Sequence, residues 1–335
     1  MAPRAAIFGC AGLRLSAAER AFFTDADPWG FILFARNIDS PDQARALTDE
    51  LRACVGRAAP VLVDQEGGRV ARLRPPHWRA WRDVRAMISG LAVAAAAEAL
   101  RLRYRLIAAE LRGVGVDVNC APLLDVAQPG GAAFLRDRAL GEDAATVARL
   151  GRAVRDGLEA GGVAPVIKHI PGHGRGDADS HLRLPVARAD RAALDAVDFA
   201  AFRPHADAAM AMSAHVLYPA LDPDACATFS PIVVEAIRRD IGFDGLLITD
   251  DIEMGALAGA MDARAARALA AGCDVVLHCS ADMAGMHAVA AAAPPLCGRS
   301  LARAEAAMAR RDPEPLDVAQ AERALAALTG GLANA

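Results

Sequence analysis

Short apolar blocks recur along the whole chain, and none alternates strictly with polar residues. In order they are AAIFGC (5–10), GFILFA (30–35), PVLVD (60–64), GVDVNCAPLLDV (115–126), APVIKH (164–169), AAMAMSAH (208–215), GLLITDD (245–251) and CDVVLHC (273–279). Unbroken apolar runs of this length are how a strand buried on both faces reads. Between most of them lie Ala-, Arg-, Glu- and Leu-rich stretches long enough for a helix, such as 41–56, 90–113, 142–162 and 264–272. Alanine favours helix in such stretches. Strands alternating with helices predict a parallel sheet covered on both faces. Eight units predict an α/β fold, the (β/α)8 barrel of TIM type, in a single domain over 1–335. A barrel core takes about 250 residues, so the excess is placed in loops and in a C-terminal helical extension from about 300, read as one helix over 300–328. An open doubly wound sheet competes, but GCAG (9–12) holds only part of its glycine fingerprint.

The residues that close these blocks add chemistry to the fold. A parallel barrel carries its active site at the C-terminal ends of its strands. The third block ends in Asp64, followed by Gln65 and Glu66. The fourth carries Asn119 and Asp125, and the fifth ends in Lys168 and His169. The sixth ends in His215, the seventh in Asp250 and Asp251, and the eighth carries His278. Charges beside buried strands cost free energy unless they are paired or used, so six such ends at one mouth predict a site rather than a solvated rim. Plainer alternatives stand beside each. Asp64 caps the following turn, Asp125 fixes its own loop through an Asx turn, His215 is a hydrogen-bonded wall residue, and His278 is a satisfied core histidine. Of the adjacent Asp250 and Asp251, an extended backbone aims at most one into the mouth.

The segment IKHIPGHGRGDADSHLRLP (167–185) is the densest in titratable groups. Lys168 and His169 reach a ligand from a rigid strand end, whereas the glycines of PGHGRG allow close approach or movement. Asp179-Ser180-His181 places a carboxylate two residues from an imidazole, which selects its tautomer and equips it to donate a proton near neutral pH. His169, His173, Asp177, Asp179 and His181 also include metal-ligand types. Their spacing matches no HExxH pattern and Lys168 repels a cation, so neither metal nor cofactor is expected.

Composition narrows the partners. Hydrophobic residues make up 54% of the 335, and the net charge is −4, which gives no reason to expect nucleic acid or a membrane surface. No apolar stretch reaches the length of a membrane span, and MAPRAAIFGCAG is too short in its apolar run for an export signal. Seven widely spaced cysteines with no CxxC fit a reducing cytoplasm rather than a disulfide framework. A cytoplasmic monomer acting on a small molecule is expected.

KHIPGHGRGDADSHLRLP (168–185) resembles the KH(F)PGHG…DSH…LP segment of glycoside hydrolase family 3. VDQEGGRVARLR (63–74), GFILFARN (30–37) and GLLITDDIEMGAL (245–257) resemble, in order, its sugar-binding segment, an early strand and its nucleophile segment. The likeness runs from about 5 to 290, and the chain is similar to the single-domain bacterial β-N-acetylglucosaminidases of peptidoglycan recycling. It implies that Asp250 is the nucleophile, His181 the general acid/base and Asp179 its orienting partner. It implies that Asp64, Arg72, Lys168 and His169 bind the sugar. The last arginine ligand of the family sits in an Arg-Ser-Phe context. Arg138, in RDRALGED, is the candidate, with Ala139-Leu140 in place of Ser-Phe.

The implied chemistry is retaining hydrolysis, with attack by Asp250 on the anomeric carbon and proton transfer by His181 through an oxocarbenium-like transition state. The implied substrate is terminal β-linked N-acetylglucosamine on anhydro-muramic acid, with or without peptide. Trp78 and Trp81 either stack on a sugar or pack over the barrel rim. Alternatives are a β-glycosidase of other specificity, a phosphate-using glycosidase, a metal-dependent barrel hydrolase and a binding module without catalysis.

Overall fold

A computed structural model describes residues 2–132, 135–309 and 312–331. Its eight strands are β1 (Arg4–Phe8), β2 (Pro28–Leu33), β3 (Val61–Val63), β4 (Val118–Asn119), β5 (Ala164–Ile170), β6 (Met210–Ser213), β7 (Leu246–Asp251) and β8 (Val275–His278). All pair in parallel, in sequence order, and β8 closes on β1. This is the (β/α)8 barrel that the apolar blocks predict.

Strand alternation sorts side chains into two cores. Leu62, Val118, Val166, Ile248 and Leu277 belong to the cluster filling the barrel. Val61, Val63, Ile167, Leu247 and Val276 face the other way, into the cluster beneath the outer helices. Two positions above the last inward apolar residues stand Asp64, Lys168, Asp250 and Cys279, all lining one cavity at the strands' C-terminal ends. The same period that fills the barrel therefore aims the chemistry.

The opposite mouth is plugged. Ala304 and Ala307, on the helix Gly298–Ala307, belong to the barrel-filling cluster, with Leu301 and Met308 packed against it. Asp274, just before β8, anchors that helix. Its carboxylate accepts from Ser300 Oγ at 2.6 Å, Arg303 Nη1 at 3.2 Å, Arg238 Nη2 at 2.8 Å and the Leu247 amide at 2.9 Å.

Two sequence-based boundaries are corrected. The run 115–126 is a strand only at Val118–Asn119, because Pro122 has no amide to continue it, and an isolated parallel bridge from Leu123 to Lys168 follows. The chain still hugs β5, with Lys168 N donating to Pro122 O at 3.0 Å and Leu124 N to Lys168 O at 2.6 Å. The single helix read over 300–328 is two, Gly298–Ala307 and Val318–Thr329. Pro313 and Pro315 lie between them and cannot donate within a helix.

One buried histidine gives the fold a pH dependence. His205 Nε2 lies 3.0 Å from Ala148 O, on the helix Ala144–Ala160, and its Nδ1 lies 3.4 Å from Arg155 Nη1. A guanidinium only donates, so Nδ1 accepts and the single proton sits on Nε2. Burial first, then Arg155, lowers the pKa from 6.5 to about 4. As pH falls from about 6.5 to about 4, the unfolded chain takes a proton that the folded chain refuses, and stability is lost across that window. We expect unfolding free energy to drop by about 2 kcal/mol more in the wild type than in His205→Gln over this range. Urea titrations at several pH values check this. Parallel pH slopes for the two proteins would contradict it.

Candidate active site

Buried and half-buried charges of alternating sign form the floor. Lys168 Nζ, from β5, donates to Asp64 Oδ1 at 2.8 Å and contacts Glu66 Oε1 at 2.7 Å. Arg72 Nη2 donates to Asp64 Oδ2 at 3.1 Å. Arg138 grips Glu66 with both arms of its fork, Nε to Oε2 at 2.9 Å and Nη2 to Oε1 at 2.8 Å. Burial works to protonate Asp64, but Lys168 and Arg72 outweigh it and hold the carboxyl below the usual range. Burial likewise opposes ionisation of Glu66, and Arg138 and Lys168 override it further. Desolvation works to lower the pKa of Lys168, but Asp64 and Glu66 outweigh it and raise it. Removing one member strands its partner as an uncompensated buried charge, so the set stands or falls together.

Asp250 stands beside this floor near the end of β7. Burial raises its pKa, while His169, His215 and the Asp251 amide lower it more, so the carboxylate stays ionised. His169 Nε2 lies 3.8 Å from Asp250 Oδ2, and its Nδ1 lies 2.7 Å from Asp125 Oδ2. The buried Asp125 also accepts the amides of His169 at 3.2 Å and His173 at 2.6 Å. It therefore orients a site histidine on the neighbouring strand, beyond the Asx turn weighed from sequence. Asp64 likewise serves Lys168 and Arg72 rather than a turn.

Asp251 points elsewhere, accepting the amides of Glu253 at 3.1 Å and Cys279 at 3.3 Å, and desolvation pushes its pKa up to about 7. His215 is a wall residue, bonded through Nδ1 to Thr228 Oγ1 at 2.7 Å and through Nε2 to Asp251 O at 2.9 Å. His278 is buried and lies 3.5 Å from Glu253. Trp81 is buried in the outer core with Nε1 donating to Glu110, and Trp78 packs against that core. Both take the rim-packing alternative.

The loop after β5 brings the last pair. Arg175 Nε donates to the buried Asp198 at 2.6 Å, and Tyr218 Oη donates to Gly172 O at 2.6 Å. Ala256 N donates to Ser180 O at 3.0 Å. Gly255 permits this seating, because a Cβ there would lie 2.7 Å from His181 O. His181 Nδ1 lies 2.8 Å from Asp179 Oδ1, which also accepts the His181 amide at 3.0 Å. Burial works against ionisation of Asp179, but the His181 amide and ring bring its pKa down. With Nδ1–H given to Asp179, the other nitrogen is left to take or release a proton. The imidazole is 69% exposed, so solvent reaches it.

The cavity has a volume of ≈300 Å³. Asp64, Arg72, Arg138, Lys168, His169 and Asp250 line it together with Asp179 and His181, so every site residue expected from the sequence faces one space. Ile32, Met212, Met254 and Leu277 supply apolar wall. Among the described residues, no three His, Cys, Asp or Glu side chains converge as metal ligands. Glu66 and Asp125 were seen in the sequence but given no binding or catalytic part. Their partners, Arg138 and His169, lie 72 and 44 positions away, and only the closed barrel brings them together.

Residues 7–306 match the family described as the glycosyl hydrolase family 3 N-terminal domain. A β-hexosaminidase of Alkalilimnicola ehrlichii is 39% identical over 282 residues, 82% of this chain and 80% of that protein. One from Aromatoleum aromaticum is 34% identical over 331 residues, 96% of this chain and 93% of its own. The crystal structure of NagZ from Neisseria gonorrhoeae in complex with N-trifluoroacetyl-D-glucosamine superposes with a TM-score of 0.88 at 30% identity, covering 98% of this chain and 99% of that one.

Proposed function

Because this chain belongs to glycoside hydrolase family 3, we propose that it removes terminal β-linked N-acetylglucosamine from muropeptide fragments with retention of configuration, through a glycosyl-aspartate on Asp250. The chain is a glycoside hydrolase with β-N-acetylhexosaminidase activity, in keeping with its β-hexosaminidase relatives. The observation that carries the mechanism is one shared cavity. An ionised Asp250 and the Asp179–His181 pair both line it.

In the first step the Asp250 carboxylate attacks the anomeric carbon as the glycosidic C–O bond breaks, and the protonated His181 gives its proton to the departing oxygen. In the second, neutral His181 takes a proton from water, whose oxygen attacks the same carbon and expels Asp250. Two inversions retain the β configuration. Asp64, Lys168 and Arg72 offer paired acceptors and donors to sugar hydroxyls, so binding fixes the ring against the nucleophile. Arg138 belongs to the same binding set, acting from its clamp on Glu66. Asp125 orients His169 so that its Nε2 faces Asp250.

A cytoplasmic place in cell-wall recycling and a monomeric state complete the reading. No described helix is long and apolar enough to cross a membrane. A panel of 4-nitrophenyl glycosides tests the specificity. Turnover of the N-acetyl-β-glucosaminide well above the β-glucoside and β-xyloside supports it, and a preference for glucose or xylose overturns it.

A further inference from the structure

Beside the active-site cavity, and sharing Arg69 with it, runs a second, open groove of ≈560 Å³. Arg69, Arg74, Arg79 and Arg82 line it, and Asp83 is the one carboxylate among its described lining residues. In a chain of net charge −4, this is a local excess of positive charge at the edge of the site.

Not all of these charges are spent inside the protein. Arg79 is, since it pairs with Glu110 at 2.6 Å and with Glu322 at 2.5 Å. Asp83 is packed against the β3 loop, where a Cβ on Gly68 would come within 1.7 Å of its Oδ1. Arg74 donates to backbone alone among the described residues, Nε to Ala71 O at 2.9 Å and Nη2 to Arg69 O at 3.3 Å. Among the described residues, no carboxylate forms an ion pair with Arg74 or Arg82.

The groove's backbone is fixed from below. Buried Arg103 donates through Nη2 to Glu66 O at 2.8 Å and to Arg82 O at 2.6 Å, and Gly68 N donates to Trp81 O at 2.7 Å. The guanidiniums thus stand on a scaffold that need not be ordered on binding. Inside the sugar cavity, by contrast, Arg72 and Lys168 answer Asp64, and Arg138 answers Glu66.

We propose that this groove binds the anionic part of the substrate beyond the scissile bond, as carboxylates of the aglycone. The proposal rests on the glycosidase reading above and names its specificity. A guanidinium fork matches a carboxylate in geometry as well as charge. A basic groove beside the site also raises the local concentration of anionic substrate.

The test compares kcat/KM for the wild type, Arg74→Gln, Arg82→Gln, the double variant and Arg82→Lys. The substrates are neutral N,N′-diacetylchitobiose and N-acetylglucosaminyl-anhydro-muramic acid, the latter as free acid, as methyl amide and with its peptide. The double variant should lose about tenfold on the free acid or the peptide form, mainly through KM, and less than about twofold on the neutral disaccharide. Added salt should imitate the substitution, and Arg82→Lys should recover part of the loss. A loss already present on the free acid assigns the groove to the lactyl carboxylate. A loss confined to the peptide form assigns it to the peptide. Equal losses on neutral and anionic substrates, or a wild type indifferent to both carboxylates, overturn the proposal. Failure of the wild type to cleave any of these substrates would instead overturn the glycosidase reading.

Discussion

Asp250→Ala should lower kcat by roughly 10³- to 10⁵-fold, the scale on which loss of a covalent nucleophile is felt. It should do so in a folded protein. The Asp250 carboxylate accepts the Asp251 amide at 2.8 Å, but unlike Glu66 it is gripped by no cation within hydrogen-bond distance among the described residues. The cavity left by the missing carboxylate then admits a small anion. Azide should restore turnover of an aryl N-acetyl-β-glucosaminide and yield the α-glycosyl azide, since only one inversion remains. This also separates the proposal from attack by the substrate's own acetamido carbonyl. That route needs no Asp250 nucleophile, and it would leave substantial activity and a β-configured product.

His181→Ala should have the second largest effect, and its size should depend on the leaving group. General acid catalysis contributes about 10²- to 10⁴-fold where the departing oxygen is basic. On diacetylchitobiose, kcat/KM should fall by that amount. On the 4-nitrophenyl glycoside, whose phenolate departs without a proton, it should fall by about tenfold or less. Because kcat/KM reports only as far as the first irreversible step, the base role of His181 in the second step does not blur the comparison. Equal losses on both substrates would remove the acid role. Asp179→Asn should move in the same direction by a smaller factor, because the imidazole survives and only its partner at 2.8 Å is weakened.

Much of this was legible in the chain because two periods coincide. Alternation along buried strands put Leu62, Val166 and Ile248 into the barrel and so put Asp64, Lys168 and Asp250 at its mouth. The order of apolar blocks was enough to expect that geometry. What stayed hidden was pairing at long range. Nothing local distinguishes Glu66, which anchors both Arg138 and Lys168, from an ordinary loop acid. Nor does sequence tell that Asp125 reaches His169 rather than its own loop. The fourth strand misled for a different reason. Leu123, Leu124 and Val126 are buried, but only an isolated bridge from Leu123 to Lys168 ties them to β5, so burial alone mimics a strand there.

The central claim is a covalent bond between Asp250 and the sugar. The most direct measurement uses an N-acetylglucosaminyl fluoride carrying a second fluorine at C5, which slows both steps while fluoride speeds the first. Intact mass spectrometry should show the protein gaining one fluorinated sugar. Peptide mapping should place it on Asp250 within the segment 245–257. No mass gain despite turnover, or a sugar carried on another residue, would contradict the account.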